Sequence, residues 1–210
     1  MIGLLLKDFY TLRQYLKTMA FMFVFFALIS SGLDNPAAFF EGFIILMSMM
    51  MTITTFSYDA LAKWDRYALS MPVTRKEIVA AKYLISVILG LGGAIIAFLI
   101  SLAVLKFKPV EGFGLTEHLY STLGIIGIAL CFSAILLPLI FKFGVEKCRF
   151  LLMAIFAVPA AVMVALSKMG VSMPSESSLI AFIKLFPVLV ILFYLLSFSI
   201  SVRIFSAKEM

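Results

Sequence analysis

The charged side chains that could bind a partner are concentrated between residues 58 and 82. This segment, YDALAKWDRYALSMPVTRKEIVAAK, carries eight charged residues in a chain that is otherwise nearly all apolar. They are Asp59, Lys63, Asp65, Arg66, Arg75, Lys76, Glu77 and Lys82. The runs on either side are each long enough to cross a bilayer, so the segment should lie outside the membrane. We interpret it as a docking surface; the alternative is that its positive charge only fixes the orientation of the chain.

The first half of this segment has the pattern of a surface helix. On a helix from 59 to 70, polar and apolar residues would separate onto opposite faces, which is typical of a helix lying in the membrane interface. The polar face would hold Asp59, Lys63, Arg66 and Ser70, and the apolar face Leu61, Trp64 and Ala68. Trp64 and Tyr67 would anchor such a helix at the headgroup level.

The second half predicts a turn followed by a new helix. Pro72 has no backbone N–H and cannot continue the helix before it. Thr74 and Glu77 have the spacing of a capping box, in which each residue satisfies the backbone of the other. A helix should therefore begin at this point and run into the next membrane span.

Polar residues also recur along one face of the second apolar run. They are Glu41, Ser48, Thr52, Thr55 and Asp59, with methionines 47 and 49–51 beside them. Two interpretations stay open: the hydroxyls bond to carbonyl groups of their own helix, or the face lines a translocation path with Glu41 at its outer mouth. The methionines suit an adaptable surface for apolar cargo and core filling equally well. The candidate path residues are Glu41, Ser48, Met51, Thr52 and Thr55.

The residue types needed for catalysis or metal binding are sparse. His118 is the single histidine of the chain, and its place beside Glu117 at a helix end predicts a surface residue. A zinc site or a histidine-based triad would lack partners there. The two cysteines, Cys131 in an apolar run and Cys148 in a basic loop, do not suggest a disulfide. The sequence has no phosphate-binding loop, so it predicts no ATP-hydrolysing domain.

Composition indicates a membrane protein that crosses the bilayer several times. The chain is 64% hydrophobic and 13% charged, with a mean hydropathy of +1.16. A soluble globule is about half apolar and about a quarter charged. The net charge of +6 lies at the ends of apolar runs and forms no continuous basic patch, which argues against nucleic acid as a partner.

Hydropathy divides the chain into an amphipathic start and a membrane domain. Residues 1–17 predict a helix resting on the membrane surface, with Ile2, Leu5, Leu6, Phe9, Leu12 and Leu16 on its apolar face and Lys7, Asp8, Thr11 and Gln14 opposite. Residues 18–210 predict six transmembrane helices at about 18–33, 39–57, 83–105, 119–141, 150–167 and 179–201, with a cytoplasmic loop at 58–82. Thirteen of the 17 lysines and arginines then lie on one side. The positive-inside rule places that side and both termini in the cytoplasm.

Small residues and prolines mark where the spans should pack or bend. Gly90, Ala94, Ala97 and Ser101 form a seam that would let another helix approach closely, and Gly124, Gly127 and Cys131 form a second one. Pro138, Pro159 and Pro187 would each free a backbone carbonyl and kink a helix. The sequence does not tell whether these kinks gate anything.

Two segments resemble the small stand-alone permeases of the type-2 ABC transporter family from Gram-positive bacteria. The first is GLLLKDFY at residues 3–10, and the second is KWDRYALSMPVTRKEIVAAKY at residues 63–83. The layout is similar over nearly the whole chain, whereas the later spans match only in hydropathy and number.

The resemblance implies an all-α, six-helix subunit that works as a dimer with a second permease, identical or homologous. Two copies of a separate ABC ATPase would bind ATP and Mg²⁺, and this chain itself would bind no cofactor. The loop after the second span would be the coupling helix, seated in a cleft of the ATPase. The contacts carried over are Lys63, Asp65, Arg66, Arg75, Lys76 and Glu77, with Trp64 and Tyr67 holding the coupling helix against the membrane helices.

The expected function is that of a non-enzymatic permease subunit in the bacterial cytoplasmic membrane. The resemblance implies export of peptides such as bacteriocins, lantibiotics or toxins, or of drugs, driven by the separate ATPase. One alternative is an ion-coupled secondary transporter, which would need buried carboxylates near the bilayer midplane, whereas the acids here lie at span ends. Another is an accessory or immunity protein that acts without ATP.

Overall fold

The described part of the chain contains helices and no strands. The computed structural model describes residues 2–30, 36–68, 70, 72–107, 115–148, 150–151 and 176–207. Its main helices are α1 (Ile2–Arg13), α2 (Leu16–Ser30), α3 (Pro36–Leu61), α4 (Trp64–Ala68), α5 (Arg75–Phe107), α6 (Leu115–Phe143) and α7 (Glu176–Ser206). The predicted all-α class is confirmed for these residues.

Four of these helices are long and apolar enough to cross a membrane, within Phe39–Leu61, Arg75–Val104, His118–Phe143 and Leu185–Ser206. They correspond to the second, third, fourth and sixth predicted spans. The first predicted span, 18–33, falls on α2, an apolar helix of 15 residues, and its last three residues lie outside the described part of the chain. The fifth, at 150–167, lies outside the described residues except for its first two.

The centre of the bundle is the antiparallel pair α3 and α5, held together by the predicted small-residue seam. Ala94, Ala97 and Ser101 are almost completely buried. At Gly90 and Gly93 the helices approach so closely that an added Cβ would meet Met49 and Ser48 of α3. Side chains of this size let two backbones approach, which maximises dispersion contacts where no hydrophobic effect acts between helices.

The remaining long helices pack around this pair. α6 contacts α7 where Gly127 faces the ring of Phe186, whereas Gly124 of the same predicted seam has no neighbour within 4 Å of an added Cβ. α5 is joined to α7 by the hydroxyl of Tyr83, which lies 2.6 Å from Oγ of Ser197 and 2.7 Å from Oγ of Ser201. Pro138 and Pro187 lie inside α6 and α7, and Pro159 lies outside the described residues.

Two names describe the ends of the bundle. We call the end where α3 stops and α5 starts the loop end, because it carries α1, α4 and residues 62–74. The opposite end, where α3 starts and α5 stops, is the far end. α6 runs from the far end to the loop end, because His118 lies near the start of α3 and Phe141 packs against Phe56.

The predicted continuous helix from Asp59 to Ser70 is wrong. α3 extends through Asp59 to Leu61, and a separate short helix, α4, begins at Trp64. Between them Lys63 adopts a left-handed conformation with φ of 50°, which ends one right-handed helix and redirects the chain into the next. Asp59 and Ser70 therefore do not share a helical face.

The close approach of α3 and α5 gives a matched pair of substitutions. In Gly93→Ala the new methyl group overlaps Ser48, whereas in Gly92→Ala it has no neighbour within 4 Å. Overpacking of this kind costs about 1–3 kcal/mol, so Gly93→Ala should lower the thermal unfolding midpoint of the detergent-purified protein. Gly92→Ala should leave that midpoint unchanged or raise it, since alanine favours helix. Equal midpoints for the two variants would contradict the observed packing of α3 on α5.

Candidate functional site

The helix start predicted at Thr74 and Glu77 is present. The backbone N–H of Thr74 donates to Oε2 of Glu77 over 2.9 Å, and the N–H of Glu77 donates to the hydroxyl of Thr74 over 3.2 Å. This is the reciprocal capping box expected from the spacing, and it satisfies donors that the first turn of α5 would otherwise leave free. The capping box therefore fixes the point at which the loop becomes a membrane helix.

Arg75 ties the same point to the end of α7. Its Nη1 lies 3.2 Å from the carbonyl oxygen of Phe205 and 2.6 Å from that of Ser206. These carbonyl groups belong to the last turn of α7, where they have no partner within the helix. A cation there is also favoured by the helix dipole. Arg75 thus connects the loop to the C-terminal helix.

A cluster of four charged residues, three of them buried, lies directly beneath the loop, and we call it the ion cluster. It consists of Lys7 and Asp8 of α1, Asp59 of α3 and Lys82 of α5. Lys82 Nζ lies 3.0 Å from each carboxylate oxygen of Asp8 and 2.6 Å from Oδ2 of Asp59. It also lies 3.2 Å from the hydroxyl of Thr55, so its three donors all have acceptors.

Lys7 completes this cluster and connects it to α4. Its Nζ lies 3.1 Å from Oδ1 of Asp8 and pairs with Asp59, which brings two cations and two anions together. The same ammonium group lies 4.4 Å from the centre of the Trp64 ring, a cation–π contact. The ion cluster therefore joins α1, α3, α4 and α5 with no net charge.

The placement of Asp8 corrects the predicted orientation of α1. Asp8 was expected on the polar face of a helix resting on the membrane surface, opposite the apolar face, but only 2% of it is exposed. The buried face of α1 is Leu4, Asp8 and Leu12, whereas Leu6 and Phe9 are about half exposed. Because Lys82 lies at the inner side of α1, pairing with it outweighs the amphipathic pattern.

The predicted coupling residues are distributed over the loop end. Lys63, Tyr67 and Lys76 are exposed, and Trp64 is half-buried against Lys7 and Tyr67. Arg75 and Glu77 are held in the contacts described above. Asp65 and Arg66 lie in α4, and their side chains lie outside the described part. The exposed positions leave a charged and aromatic surface around α4 on which a partner could bind.

The predicted path face of α3 is packed inside this bundle. Ser48 donates to the carbonyl of Ile44 and Thr55 to that of Thr52, each over 2.8 Å, as expected for hydroxyls that bond to their own helix. Thr52 is also buried, and Met51 is half-buried. Thr55 additionally accepts a hydrogen bond from Lys82, so one hydroxyl of the stripe belongs to the ion cluster.

A second polar cluster lies at the far end, and we call it the far-end cluster. It consists of Glu41 of α3, Ser101 of α5, and His118 and Thr122 of α6, all buried. Thr122 donates to Oε1 of Glu41, His118 Nδ1 lies 3.8 Å from Oε2 of Glu41, and His118 Nε2 lies 2.7 Å from Oγ of Ser101. The prediction of His118 as a surface residue is wrong, because only 1% of it is exposed.

The sequence interpretation did not identify either cluster as a unit. The available signal was that Asp8, Glu41, Asp59 and Lys82 are ionisable residues at or near the ends of apolar runs, and such residues usually face the protein interior and pair. The paired residues are far apart in the chain. Lys82 lies 23 positions from Asp59, and Thr122 lies 81 positions from Glu41. Pairing at that separation depends on which helices are neighbours.

Comparison with known families decides the class of the protein. A family model described as ABC-2 family transporter protein matches residues 3–206, nearly the whole chain. This chain belongs to the ABC-2 transporter family. Searches among curated proteins and among solved structures gave no match. The resemblance noted in the sequence is confirmed at the level of the family.

Membership of the ABC-2 family indicates the role of this chain within a transporter. The family consists of membrane transport subunits that are not themselves catalytic. The four long apolar helices agree with a place in the membrane. In this ABC-2 protein Trp64 and Lys82, which belong to one of the two segments that resembled the family in the sequence, contact or form part of the ion cluster.

Removing the central cation of the ion cluster should destabilise the protein strongly. Lys82→Met leaves Asp8 and Asp59 buried with one partly exposed lysine between them, and breaking a buried pair in this way costs about 3–5 kcal/mol. The control Lys76→Met removes an exposed lysine of the same helix and should cost less than about 1 kcal/mol.

Both variants are compared with the unmodified protein by thermal unfolding in detergent. The double variant Asp8→Asn, Lys82→Met restores the charge balance and should recover part of the loss. If Lys82→Met unfolds at the same temperature as Lys76→Met, Lys82 is not paired as described.

Proposed function

We propose that this chain is the membrane subunit of an ATP-driven exporter and that residues 58–82 bind a separate ABC ATPase on the cytoplasmic side. Family membership supports a transport role. The observation that carries the coupling role is the ion cluster, because it connects the loop to the membrane helices through buried charges rather than through a flexible chain. A partner that moves α4 would therefore move the helices.

The contacts provide a route for such a movement. Trp64 of α4 lies against Lys7, which is bound to Asp8 and Asp59. Lys82 carries the connection into α5, and Arg75 carries it to the end of α7. The left-handed residue Lys63 and the capping box at Thr74 bound the segment between α3 and α5. Displacement of the segment would thus tilt α3 and α5 against α1 and α7.

ATP would act on the permease because the partner ATPase has different conformations with and without ATP. The loop must bind the ATP-loaded and ATP-free forms of the ATPase differently, since a partner with equal affinity for both conformations shifts nothing. The exposed residues Lys63, Tyr67 and Lys76, together with Asp65 and Arg66 of α4, are our proposed contact surface. Two ATPase copies and a second permease, identical or homologous, would complete the transporter.

The cargo we propose is amphipathic or hydrophobic, such as a peptide or a drug. The predicted path face of α3, with Glu41, Ser48, Met51, Thr52 and Thr55, is packed within one subunit here. A path along it would open when α3 separates from α5 and α6. The methionines beside it can adapt to cargo of varied shape, which supports an apolar or amphipathic substrate.

Charge reversal on the loop tests the binding of the ATPase. We expect Lys76→Glu to reduce co-purification of a partner ABC ATPase at least about tenfold, because it places an acid in the contact surface. Lys142→Glu makes the same charge change at an exposed position near the end of α6 and should leave co-purification intact. Loss in both variants would indicate a general charge effect, and loss in neither would remove the loop from the interface.

Cysteine labelling tests the side of the membrane on which the loop lies. Both native cysteines are poorly accessible, since Cys148 is buried and Cys131 half-buried, and burial raises the pKa of the Cys148 thiol above its ordinary value. Lys76→Cys should react with an impermeant maleimide only in inside-out vesicles. Tyr120→Cys, which replaces an exposed residue at the far end, should react in intact cells. The reverse pattern would contradict a cytoplasmic ATPase site on the loop.

A further inference from the structure

An apolar groove lies at the loop end between α1 and the pair formed by α3 and α5. α1 contributes Leu6, Phe9 and Leu12 to its walls, α3 contributes Met51, and α5 contributes Leu89. The groove has a volume of about 360 Å³, which lies within the roughly 300–1,000 Å³ of small-molecule sites. The coupling of the loop to an ATPase uses none of these side chains.

The ion cluster explains why α1 turns apolar side chains toward this groove. Asp8 faces inward to Lys82, so the side chains of Leu6 and Phe9 cannot point inward as well. They are accordingly 51% and 42% exposed. They share one helical face with Arg13, because the spacings are three and four positions. The pairing of Asp8 thus leaves an exposed apolar face that ends in a cation.

Two hydrogen-bond donors lie at the rim of the groove, and both residues belong to its lining. Arg13 is exposed and makes no ion pair with any residue that the structure describes. Its planar guanidinium can donate to two phosphate oxygens at once. Tyr10, three positions earlier, is 69% exposed and supplies a hydroxyl. An apolar helix laid over the groove would leave the cation unpaired, which is costly inside a membrane, whereas a phosphate group neutralises it.

The end of α1 lies at the level of the loop end. Tyr15, two positions after Arg13, packs against Tyr58 with ring centres 5.7 Å apart, and the two hydroxyls are hydrogen-bonded to each other. Tyr58 is the chain neighbour of Asp59 in the ion cluster. Tyrosines and basic residues at such a level of a membrane protein lie among lipid headgroups. Arg13 is therefore at the depth of the phosphate groups.

The floor of the groove lies deeper in the bundle. Met51 precedes Asp59 by eight positions on α3, and Leu89 follows Lys82 by seven positions on α5. At a rise of about 1.5 Å per residue, these separations are about 12 and 10 Å along the helices. One leaflet of the hydrocarbon core is about 15 Å thick, so Met51 and Leu89 lie at the depth of acyl chains. The groove therefore runs from the headgroups into the hydrocarbon, as a phospholipid does.

We propose that the groove binds an anionic phospholipid of the bilayer, with one acyl chain on Met51 and Leu89 and the phosphate group on Arg13 and Tyr10. The bound lipid covers the apolar side chains of α1 that the ion cluster turns outward, and it holds α1 against α3 and α5. The site rests on the membrane location of the chain and does not depend on an ATPase, so this proposal and the coupling role of the loop can fail separately.

The headgroup preference is measured on the unmodified full chain, purified in detergent and stripped of native lipid. Phosphatidylglycerol and phosphatidylcholine with identical acyl chains are titrated, and the first binding event is followed by native mass spectrometry. We expect phosphatidylglycerol to bind at least about fivefold more tightly, because its headgroup carries a net negative charge and that of phosphatidylcholine does not. Equal affinities would overturn the proposal without any substitution.

Removal of the rim cation tests where the headgroup binds. Arg13→Gln should abolish the preference for phosphatidylglycerol. The control Arg203→Gln makes the same substitution at an exposed arginine in the last turn of α7, and it should keep the preference. An unchanged preference in Arg13→Gln, or an equal loss in both variants, would show that the phosphate group does not bind at this groove.

Filling the groove distinguishes a lipid from other occupants. Leu89→Trp places an indole ring on the groove floor and should weaken phosphatidylglycerol binding at least about fivefold, because it excludes methylene groups of the acyl chain. Leu91→Trp makes the same change at an exposed position of α5 outside the groove and should have no such effect. If Leu89→Trp instead lowers the fraction of dimer and leaves lipid binding unchanged, a second copy of this chain covers the groove and the proposal is wrong. If neither lipid binding nor the oligomeric state changes, no phospholipid binds there and the proposal is equally wrong.

Discussion

A lysine ammonium group inside an apolar helix bundle is stable only where acids surround it, and Lys82 is placed in this way. Its acids come from two different helices, Asp8 of α1 and Asp59 of α3. Removing either helix from its position would leave a buried charge without compensation, which costs several kcal/mol. The requirement that Lys82 be neutralised therefore determines where α1 lies and how α3 meets α5. The same contacts also determine the position of the loop between α3 and α5.

Helices α3 and α5 are held in the bundle by polar residues near both of their ends and by small residues in the middle of their contact. The ion cluster fastens the loop end, and the far-end cluster holds α3 to α6 and α6 to α5. Along α3, the ion cluster and the far-end cluster are about 27 Å apart. This distance is close to the roughly 30 Å thickness of a hydrocarbon core. Between them the contact is made by Gly90, Gly93, Ala94 and Ala97. The charged groups thus lie at depths where the cost of charge in a membrane is lowest.

These contacts attach the described part of the loop to the membrane domain. Trp64, Arg75 and the capping box each attach it to a different element, α1, α7 and α5 respectively. A transporter that is driven from outside the membrane needs such a connection, because a movement applied to a flexible loop would be lost before it reached the helices. The ABC-2 family assignment and the ion cluster are thus compatible descriptions of the same segment.

Local pattern was sufficient for the features that depend on neighbours in the chain. The all-α class, four long apolar helices, the capping box at Thr74 and the small-residue seam of α5 follow from hydropathy, spacing and side-chain size, and the motif at residues 63–83 indicated the family. The pairing of Lys82 with Asp8, the burial of His118 and the break at Lys63 were not predictable in this way. They depend on which helices become neighbours, since the stability of a buried charge is set by partners that only the folded bundle brings within 3 to 4 Å.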